Sequence, residues 1–240
     1  MAGKYFLFLK QVFRKPEKWS LFFSQLIKET DKLVLNSIPL IALISVFIGA
    51  VLVLQTSINM TSPLLPKMYV GYMARESLIL EFSSTMVCLI LAGKIGSNIS
   101  SEIGTMKITE QIDAMEMMGI NSAGYLVLPK ILSTTIFNPL LTMMSIFMGL
   151  AGGYLLVSIT GIIKVSDLLT GLRFSFNIGY ISYSLIKTSV FSFIISSVAS
   201  YYGYYAKGGS LGVGRSSTRA IVIASGLILV SNLVLTRILL

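Results

Sequence analysis

Long stretches of this sequence contain no charged side chain. No Asp, Glu, Lys or Arg occurs between Lys32 and Lys67, or between Lys130 and Lys164. Each interval exceeds the roughly 20 apolar residues that a helix needs to cross a bilayer. With 54% hydrophobic residues and a mean hydropathy of +0.82, the chain is predicted to be an integral membrane protein rather than a water-soluble globule.

The membrane-crossing segments are predicted to be helices, because lipid leaves no backbone polar group unpaired. The fold class is therefore all-α, with about five transmembrane helices in one domain covering residues 1–240. The predicted spans are residues 38–58, 77–99, 131–159, 181–202 and 220–239. The third span lies in the uncharged interval between Lys130 and Lys164. This interval is longer than one crossing, so either Pro139 kinks the helix or part of it lies along the membrane surface.

The N-terminal residues 1–35 alternate apolar side chains with Lys, Glu and Asp, and Pro16 interrupts them. This pattern predicts an amphipathic helix that lies in the membrane interface. Lys4 and Lys10 break the apolar stretches before the hydrophobic core of a signal peptide can form. The segment is therefore predicted to be retained in the mature protein.

Lys and Arg are distributed unequally between the two sides of the predicted spans. The N-terminal segment and the loops after the second and fourth spans carry 13 of them, against 5 in the remaining loops and at the C-terminus. Since positive residues favour the cytoplasmic side, the N-terminus is predicted to be cytoplasmic and the C-terminus external. The same distribution accounts for the net charge of +9 without a nucleic-acid partner.

Two charged residues fall inside the predicted spans. Glu81 lies near the external end of the second span, and Lys187 lies about two turns into the fourth. Charges at this depth are costly and normally face a protein interior or a watery cavity. Both are therefore candidate binding residues, which either line one outward-facing cavity or pair with each other. The alternative is that their side chains simply extend to the membrane interface.

Residues 105–118, between the second and third spans, are too polar to cross a membrane and too helix-prone to form a loose loop. They are predicted to form a short cytoplasmic helix that ends at Gly119. Its acidic face consists of Glu110, Asp113 and Glu116. This face favours docking to a protein, because the cytoplasmic leaflet is itself negative. The alternative is a solvated helix lying on the membrane.

Residues 209–216 nearly match the phosphate-binding G-x-x-x-x-G-K-[ST] loop. A tyrosine-rich helix precedes them in place of a strand, and Arg215 stands where the motif has lysine. We interpret the segment as a Gly-rich turn, with nucleotide binding as the alternative, and predict that the chain has no ATPase activity of its own. One cysteine, Cys88, and no histidine predict no catalytic residue, metal site or cofactor.

Several stretches resemble the MlaE (YrbE) permease family, and together they span most of the chain. These stretches are Lys15–Glu17, Phe47–Gln55, Ala92–Ser97, Glu102–Glu116 and Gly214–Arg219. Members of that family are membrane subunits of MCE-associated ABC transporters, which move phospholipids between bacterial membranes. The resemblance implies a homodimer in the bacterial inner membrane, a separate cytoplasmic ATPase, and a periplasmic MCE-domain partner.

The resemblance also implies roles for particular residues. The short cytoplasmic helix would be a coupling helix that fits a groove on the ATPase, while Glu81 and Lys187 would line a lipid pocket between the two permeases. The implied coupling residues are Glu102, Gly104, Thr105, Glu110, Gln111, Asp113 and Glu116. The chain departs from the family pattern at Leu80–Ser84, where an arginine is often present, and at Asn232, where the family has aspartate. The head-group preference of the family is therefore not transferred.

Two other classes of function remain open on the sequence. A stand-alone secondary transporter could use Glu81 and Lys187 as a coupling or relay pair, although this leaves the acidic helix unexplained. A non-transporting membrane scaffold would make the buried charges purely structural. Loss of transport in variants of the two residues that still fold and assemble would argue against the scaffold.

Overall fold

The computed structural model describes residues 2–14, 19–60 and 66–239 of the chain. Within these ranges every regular element is a helix, and five helices are long and apolar enough to cross a membrane. The predicted all-α membrane fold is confirmed. The candidate spans are Trp19–Asn59, Met68–Ile108, Ser122–Thr160, Gly179–Tyr204 and Gly209–Leu239.

The helices differ in number and length from the predicted segments. In chain order they are α1 (Ala2–Val12), α2 (Trp19–Leu33), α3 (Ile38–Asn59), α4 (Met68–Ser77), α5 (Val87–Leu91), α6 (Ser97–Ile108), α7 (Gln111–Met117), α8 (Ser122–Thr160), α9 (Val165–Arg173), α10 (Gly179–Tyr204) and α11 (Gly209–Leu239). Two π-helical segments, Leu78–Met86 and Ala92–Gly96, join α4, α5 and α6 into one continuous span.

The N-terminal segment contains two helices, α1 and α2, rather than one. A short 3-10 turn at Leu35–Ser37 connects α2 to α3. The predicted break at Pro16 and the family-like stretch Lys15–Glu17 lie outside the described residues. The third apolar segment forms one helix, α8, which begins at Ser122 and continues through Pro139. Neighbouring helices make such prolines tolerable in membrane spans.

Residues 209–216 are helical, which corrects the prediction of a Gly-rich turn. Gly104 of α6 packs against Val213, and the hydroxyl oxygens of Ser101 and Ser217 are 3.0 Å apart. These contacts with α6 stabilise a helix whose glycines alone would disfavour it. A phosphate-binding loop presents a run of backbone N–H groups to its ligand, so a regular helix at this position disfavours the nucleotide-binding alternative.

The helix predicted over 105–118 is interrupted. Glu110 lies between α6 and α7 with a left-handed φ of 60°, a conformation that costs a non-glycine residue roughly 1–2 kcal/mol. Burial of the Ile112 side chain and an ion pair between Lys107 Nζ and Asp113 Oδ1, 2.5 Å long, stabilise the turn. The segment is thus two helices with a sharp change of direction between them.

The contacts divide the chain into two units. The first comprises Met1–Ser37, Cys88–Asn138 and Ser189–Leu240, and the second comprises Ile38–Val87 and Pro139–Thr188. In the first unit α1 packs on α10, where the oxygens of Tyr5 and Ser197 are 2.7 Å apart. The Phe8 and Tyr204 rings of the same two helices lie 5.2 Å apart.

Glycines bring helices of the second unit into backbone contact. A Cβ atom added to Gly49 of α3 would collide with the carbonyl group of Gly149 in α8, and one added to Gly152 would collide with the carbonyl of Val46. Gly171 of α9 is similarly close to α4. Small residues permit this close approach of helices in membrane proteins. The unit that contains Glu81 and Lys187 is therefore tightly packed.

Candidate functional site

Glu81 and Lys187 form an ion pair in the second unit. Lys187 Nζ donates a hydrogen bond to Glu81 Oε1 over 2.9 Å, and the Lys187 side chain is completely buried. Of the alternatives open on the sequence, the structure has the paired arrangement. Lys187 does not extend to an interface.

The Lys187 ammonium group directs its hydrogen bonds into the protein. Besides Glu81, it donates to the carbonyl oxygen of Leu80 over 3.2 Å and to the hydroxyl of Tyr183 over 2.9 Å. The Tyr183 ring centroid also lies 4.8 Å from Nζ. An ammonium group has three N–H donors, and each of these oxygens belongs to the protein.

The Glu81 carboxylate is held on both oxygens and is nevertheless accessible. Thr85 Oγ1 donates to Oε2 over 3.0 Å, while Lys187 occupies Oε1. The Glu81 side chain keeps 40% of its surface exposed. A charged group at membrane depth requires a polar cavity or a polar ligand on its exposed side. The accessible part of the pair is therefore the carboxylate.

Glu81 lies in a π-helical segment. Residues Leu78–Met86 follow π rather than α geometry, which is rare and occurs frequently at functional sites. Within this segment the Leu80 carbonyl oxygen accepts hydrogen bonds from both Lys187 Nζ and Ser84 Oγ, the latter over 3.2 Å. Apolar periodicity alone does not indicate this geometry.

The seven predicted coupling residues divide into two groups. Thr105, Glu110 and Gln111 are exposed. Met117 and Met118, which the sequence reasoning did not single out, are 90% and 68% exposed. We call Glu110, Gln111, Met117 and Met118 the exposed tip. The other four predicted residues contact side chains elsewhere in the protein, namely Glu102, Gly104, Asp113 and Glu116. Asp113 and Glu116 are nevertheless exposed as well.

Glu102 belongs to a buried ion network that joins α2, α6 and α8. Lys130 Nζ lies 2.5 Å from Glu29 Oε1 and 2.7 Å from Glu102 Oε2, and Lys32 Nζ lies 2.8 Å from Glu102 Oε1. We call these four residues the Lys130 network. Lys130 is 1% exposed. Its partners lie 101 and 28 positions away in the chain, so no local pattern could identify them.

Glu116 anchors α7 to the ends of two long helices. Glu116 Oε1 accepts hydrogen bonds from Tyr204 of α10 over 2.6 Å and from Ser122 of α8 over 2.9 Å. The oxygens of Ser122 and Tyr204 are themselves 2.8 Å apart. The Tyr205 phenol lies at the same helix end. Burial raises the pKa of this phenol the most, and the charges of Tyr201 and Glu116 raise it further. The Tyr205 phenol is therefore neutral at physiological pH.

Arg75 is a buried cation that the sequence reasoning counted among the external loop residues. Its guanidinium group donates to the carbonyl oxygens of Leu172 over 2.7 Å and Phe174 over 3.0 Å, and it pairs with Glu76 over 2.5 Å. A cation at this position satisfies carbonyl groups at the C-terminal end of α9. We assign Arg75 a structural role in the second unit.

The Glu81–Lys187 pair is suited to binding a ligand. A carboxylate accepts hydrogen bonds and pairs with cations, and the charge of Lys187 behind it is buried. Among the residues that the structure describes, no cluster of three or more His, Cys, Asp or Glu side chains could hold a metal ion.

Comparison with known proteins gives consistent matches. Residues 26–238 match the model of the family described as "Permease MlaE". A "Probable ABC transporter permease protein" of Rickettsia bellii is 36% identical over 98% of this chain and 90% of its own length. A protein of Synechocystis sp. with the same description is 33% identical over 70% of this chain and 64% of its own length. "Protein TRIGALACTOSYLDIACYLGLYCEROL 1, chloroplastic" of Arabidopsis thaliana is 30% identical over 65% of this chain and 45% of its own length.

Proposed function

The chain belongs to the MlaE permease family of ABC transporters, and on that premise we propose that it moves phospholipids or related amphiphiles between the bacterial inner membrane and the periplasm or outer membrane. The observation that carries the proposal is the ion pair at membrane depth, with its Glu81 carboxylate 40% exposed. Such a site suits a polar head group whose tails remain in lipid. The name of the plant relative refers to a glycerolipid, which supports a lipid substrate.

An ABC transporter permease works with a separate ATPase, and we assign its docking site to the exposed tip. Met117 and Met118 offer adaptable apolar contacts, while Glu110 supplies a charge that can select a basic partner surface. ATP binding moves α7 in this mechanism. Glu116 passes the movement to α8 and α10 through its hydrogen bonds with Ser122 and Tyr204.

The proposal also includes the arrangement of the complex. Two copies of the chain form a dimer, and a periplasmic MCE-domain protein exchanges lipid with the pair. The N-terminus is cytoplasmic and the C-terminus periplasmic, because 13 of the 19 Lys and Arg residues then lie on the side where positive charge is favoured.

Composition of the native complex is the first test. The protein is extracted from its native membranes in several mild detergents, and every accompanying protein and lipid is identified by mass spectrometry. We expect an ATPase, an MCE-domain protein and bound phospholipid. A lone chain without lipid in every detergent would contradict the proposal and favour a stand-alone secondary transporter.

Transport itself is tested in proteoliposomes that contain the chain with its ATPase. We expect Glu81→Ala and Lys187→Ala to abolish ATP-dependent transfer of labelled phospholipid while the complex still assembles. Asp167→Asn removes a carboxylate elsewhere in the second unit and serves as the matched control. Normal transfer in both site variants would leave the pair with a purely structural role.

Docking of the ATPase is tested by charge reversal at Glu110 and Asp113. We expect the double variant Glu110→Lys, Asp113→Lys to lose the ATPase on purification without unfolding. Because Asp113 pairs with Lys107, Lys107→Ala is the control that breaks this pair without reversing the acidic charges. The control should keep the ATPase. Unchanged co-purification in the double variant would refute the docking assignment.

A further inference from the structure

The two members of the Glu81–Lys187 pair differ in what a ligand can reach. Lys187 is 0% exposed, whereas the Glu81 side chain is 40% exposed. A head group that enters this site therefore meets the carboxylate first. The ammonium group lies behind it, enclosed by protein.

The hydrogen bonds of Lys187 make it a poor phosphate ligand. A phosphate group offers only acceptor oxygens, so it would have to take an N–H from Glu81, from the Leu80 carbonyl or from Tyr183. A contact that holds the pair together would then be lost, and at the buried Tyr183 hydroxyl this loss is especially unfavourable. The phosphate would also have to pass the negative charge of Glu81.

The carboxylate of Glu81 has the opposite preference. An ionised carboxylate only accepts hydrogen bonds, and bonds from a charged or hydroxyl donor to it are among the stronger ones. Lys187 and Thr85 hold one oxygen each, and these contacts fix the orientation of the group. The site therefore favours ligands that present N–H or O–H donors and disfavours ligands that present only acceptors.

We infer that the lipid head group is recognised by Glu81 through hydrogen-bond donors, either a primary ammonium group or hydroxyl groups. Lys187 is a positioning residue that orients the carboxylate and does not touch the phosphate. This inference rests on the proposed lipid-transport function and specifies its substrate class. Head groups that lack donors, such as choline, bind less well.

The test is a series of lipids that differ only in donor count. Phosphatidylethanolamine, its monomethyl and dimethyl derivatives, and phosphatidylcholine carry three, two, one and no N–H donors at the same charge. The full-length chain, with its co-purifying partners, is equilibrated with an equimolar mixture of these lipids with identical acyl chains. Retained lipid is then quantified by native mass spectrometry.

We expect retention to fall along the series, with phosphatidylethanolamine exceeding phosphatidylcholine on the order of tenfold, the value of one charge-assisted hydrogen bond. Glu81→Gln should remove this preference, and the control Asp167→Asn should keep it. In separate arms, phosphatidylglycerol is expected to exceed phosphatidylcholine through its hydroxyls, and phosphatidic acid is not. A preference for ethanolamine without one for glycerol restricts the donor to ammonium and still supports recognition by Glu81.

Lys187→Met separates positioning from phosphate binding. A positioning role predicts that the preference among lipids is lost while the total retained lipid is unchanged. A phosphate-binding role predicts an equal loss of every lipid, phosphatidic acid included. Equal retention across the series by the unaltered protein, or highest retention of phosphatidic acid, would overturn the inference and leave the transport function standing. Absence of any bound lipid would overturn the function itself.

Discussion

Lys130 and Lys187 are both buried in long apolar helices, α8 and α10, but their surroundings differ. Lys130 contacts two carboxylates, those of Glu29 and Glu102, whose side chains are only 18% and 28% exposed. Lys187 contacts one carboxylate, that of Glu81, which is 40% exposed. Lys187 also donates to an uncharged carbonyl and an uncharged hydroxyl.

This difference separates two uses of a buried cation. In the Lys130 network the acidic partners are mostly covered, so its ion pairs connect three helices and offer little to a ligand. In the Glu81–Lys187 pair the cation is covered and the anion is partly open, so the pair presents an oriented acceptor. Burial of a charge therefore does not identify a binding site by itself, and our proposal for the Glu81–Lys187 pair rests on the exposure of the Glu81 carboxylate.

Removal of Lys130 should have the largest effect on stability. Lys130→Met leaves two carboxylates close together in a mostly buried position, and breaking a buried ion pair costs about 3–5 kcal/mol. We expect a loss of this size in the free energy of unfolding, measured by titration of the purified protein with SDS. Adding Glu29→Gln and Glu102→Gln to the same variant should recover most of the loss, because no buried unpaired charge then remains. Lys32, which loses its partner Glu102, is 44% exposed. No recovery would mean that packing, not charge, explains the effect.

Removal of Lys187 should cost less stability, about 2 kcal/mol, because the 40% exposed Glu81 side chain can regain polar surroundings. We expect Lys187→Met to remain folded in the same titration and to lose ATP-dependent lipid transfer. A destabilisation as large as that of Lys130→Met would erase the distinction between the two lysines. The variant would then count as evidence for a second structural ion pair.

Tyr204→Phe tests whether the polar contacts of the first unit connect helices rather than bind ligands. The change removes the hydroxyl that donates to Glu116 and keeps the ring that packs on Phe8, so the expected cost is about 1 kcal/mol. We expect ATP hydrolysis to continue while lipid transfer per ATP falls. Tyr205→Phe at the same helix end is the control. Full coupling in Tyr204→Phe would exclude this connection as the route of coupling.

The smallest effect should follow Lys32→Met. Lys32 also contacts Glu102, but its side chain is 44% exposed, and exposed ion pairs contribute at most about 1 kcal/mol. We expect a loss below this value in the SDS titration, with unchanged lipid transfer. A loss comparable to that of Lys130→Met would show that the stability of the network depends on all four charges and not on the buried Lys130 alone.

The sequence predicts the membrane fold well, because long uncharged segments have few alternatives to a helical span. It also identifies Glu81 and Lys187, since charges are rare at that depth. It does not identify the Lys130 network, because positive residues near span ends are expected in any membrane protein and the partner Glu29 is 101 positions away.

Local rules failed where packing decides the backbone. Glycines predicted a turn at residues 209–216, yet contacts with α6 make this segment helical. Helix propensity predicted one helix over 105–118, yet Glu110 takes a left-handed conformation that only the contacts of its neighbours can stabilise. Of the coupling residues, sequence alone could not distinguish Glu110 from Glu102 and Glu116, whose carboxylates are held by contacts with other helices.

The π-helical segment Leu78–Met86 also changes how mutations in the second span should be aligned. A π-turn uses about one residue more per turn than the 3.6 of an α-helix. A helical-wheel diagram drawn through this segment at α geometry therefore assigns the later residues of the span to the wrong faces. For the same reason, the main effect of deleting a single residue from this segment would not be a shorter span. The deletion would rotate Glu81 about the helix axis relative to every side chain that follows it.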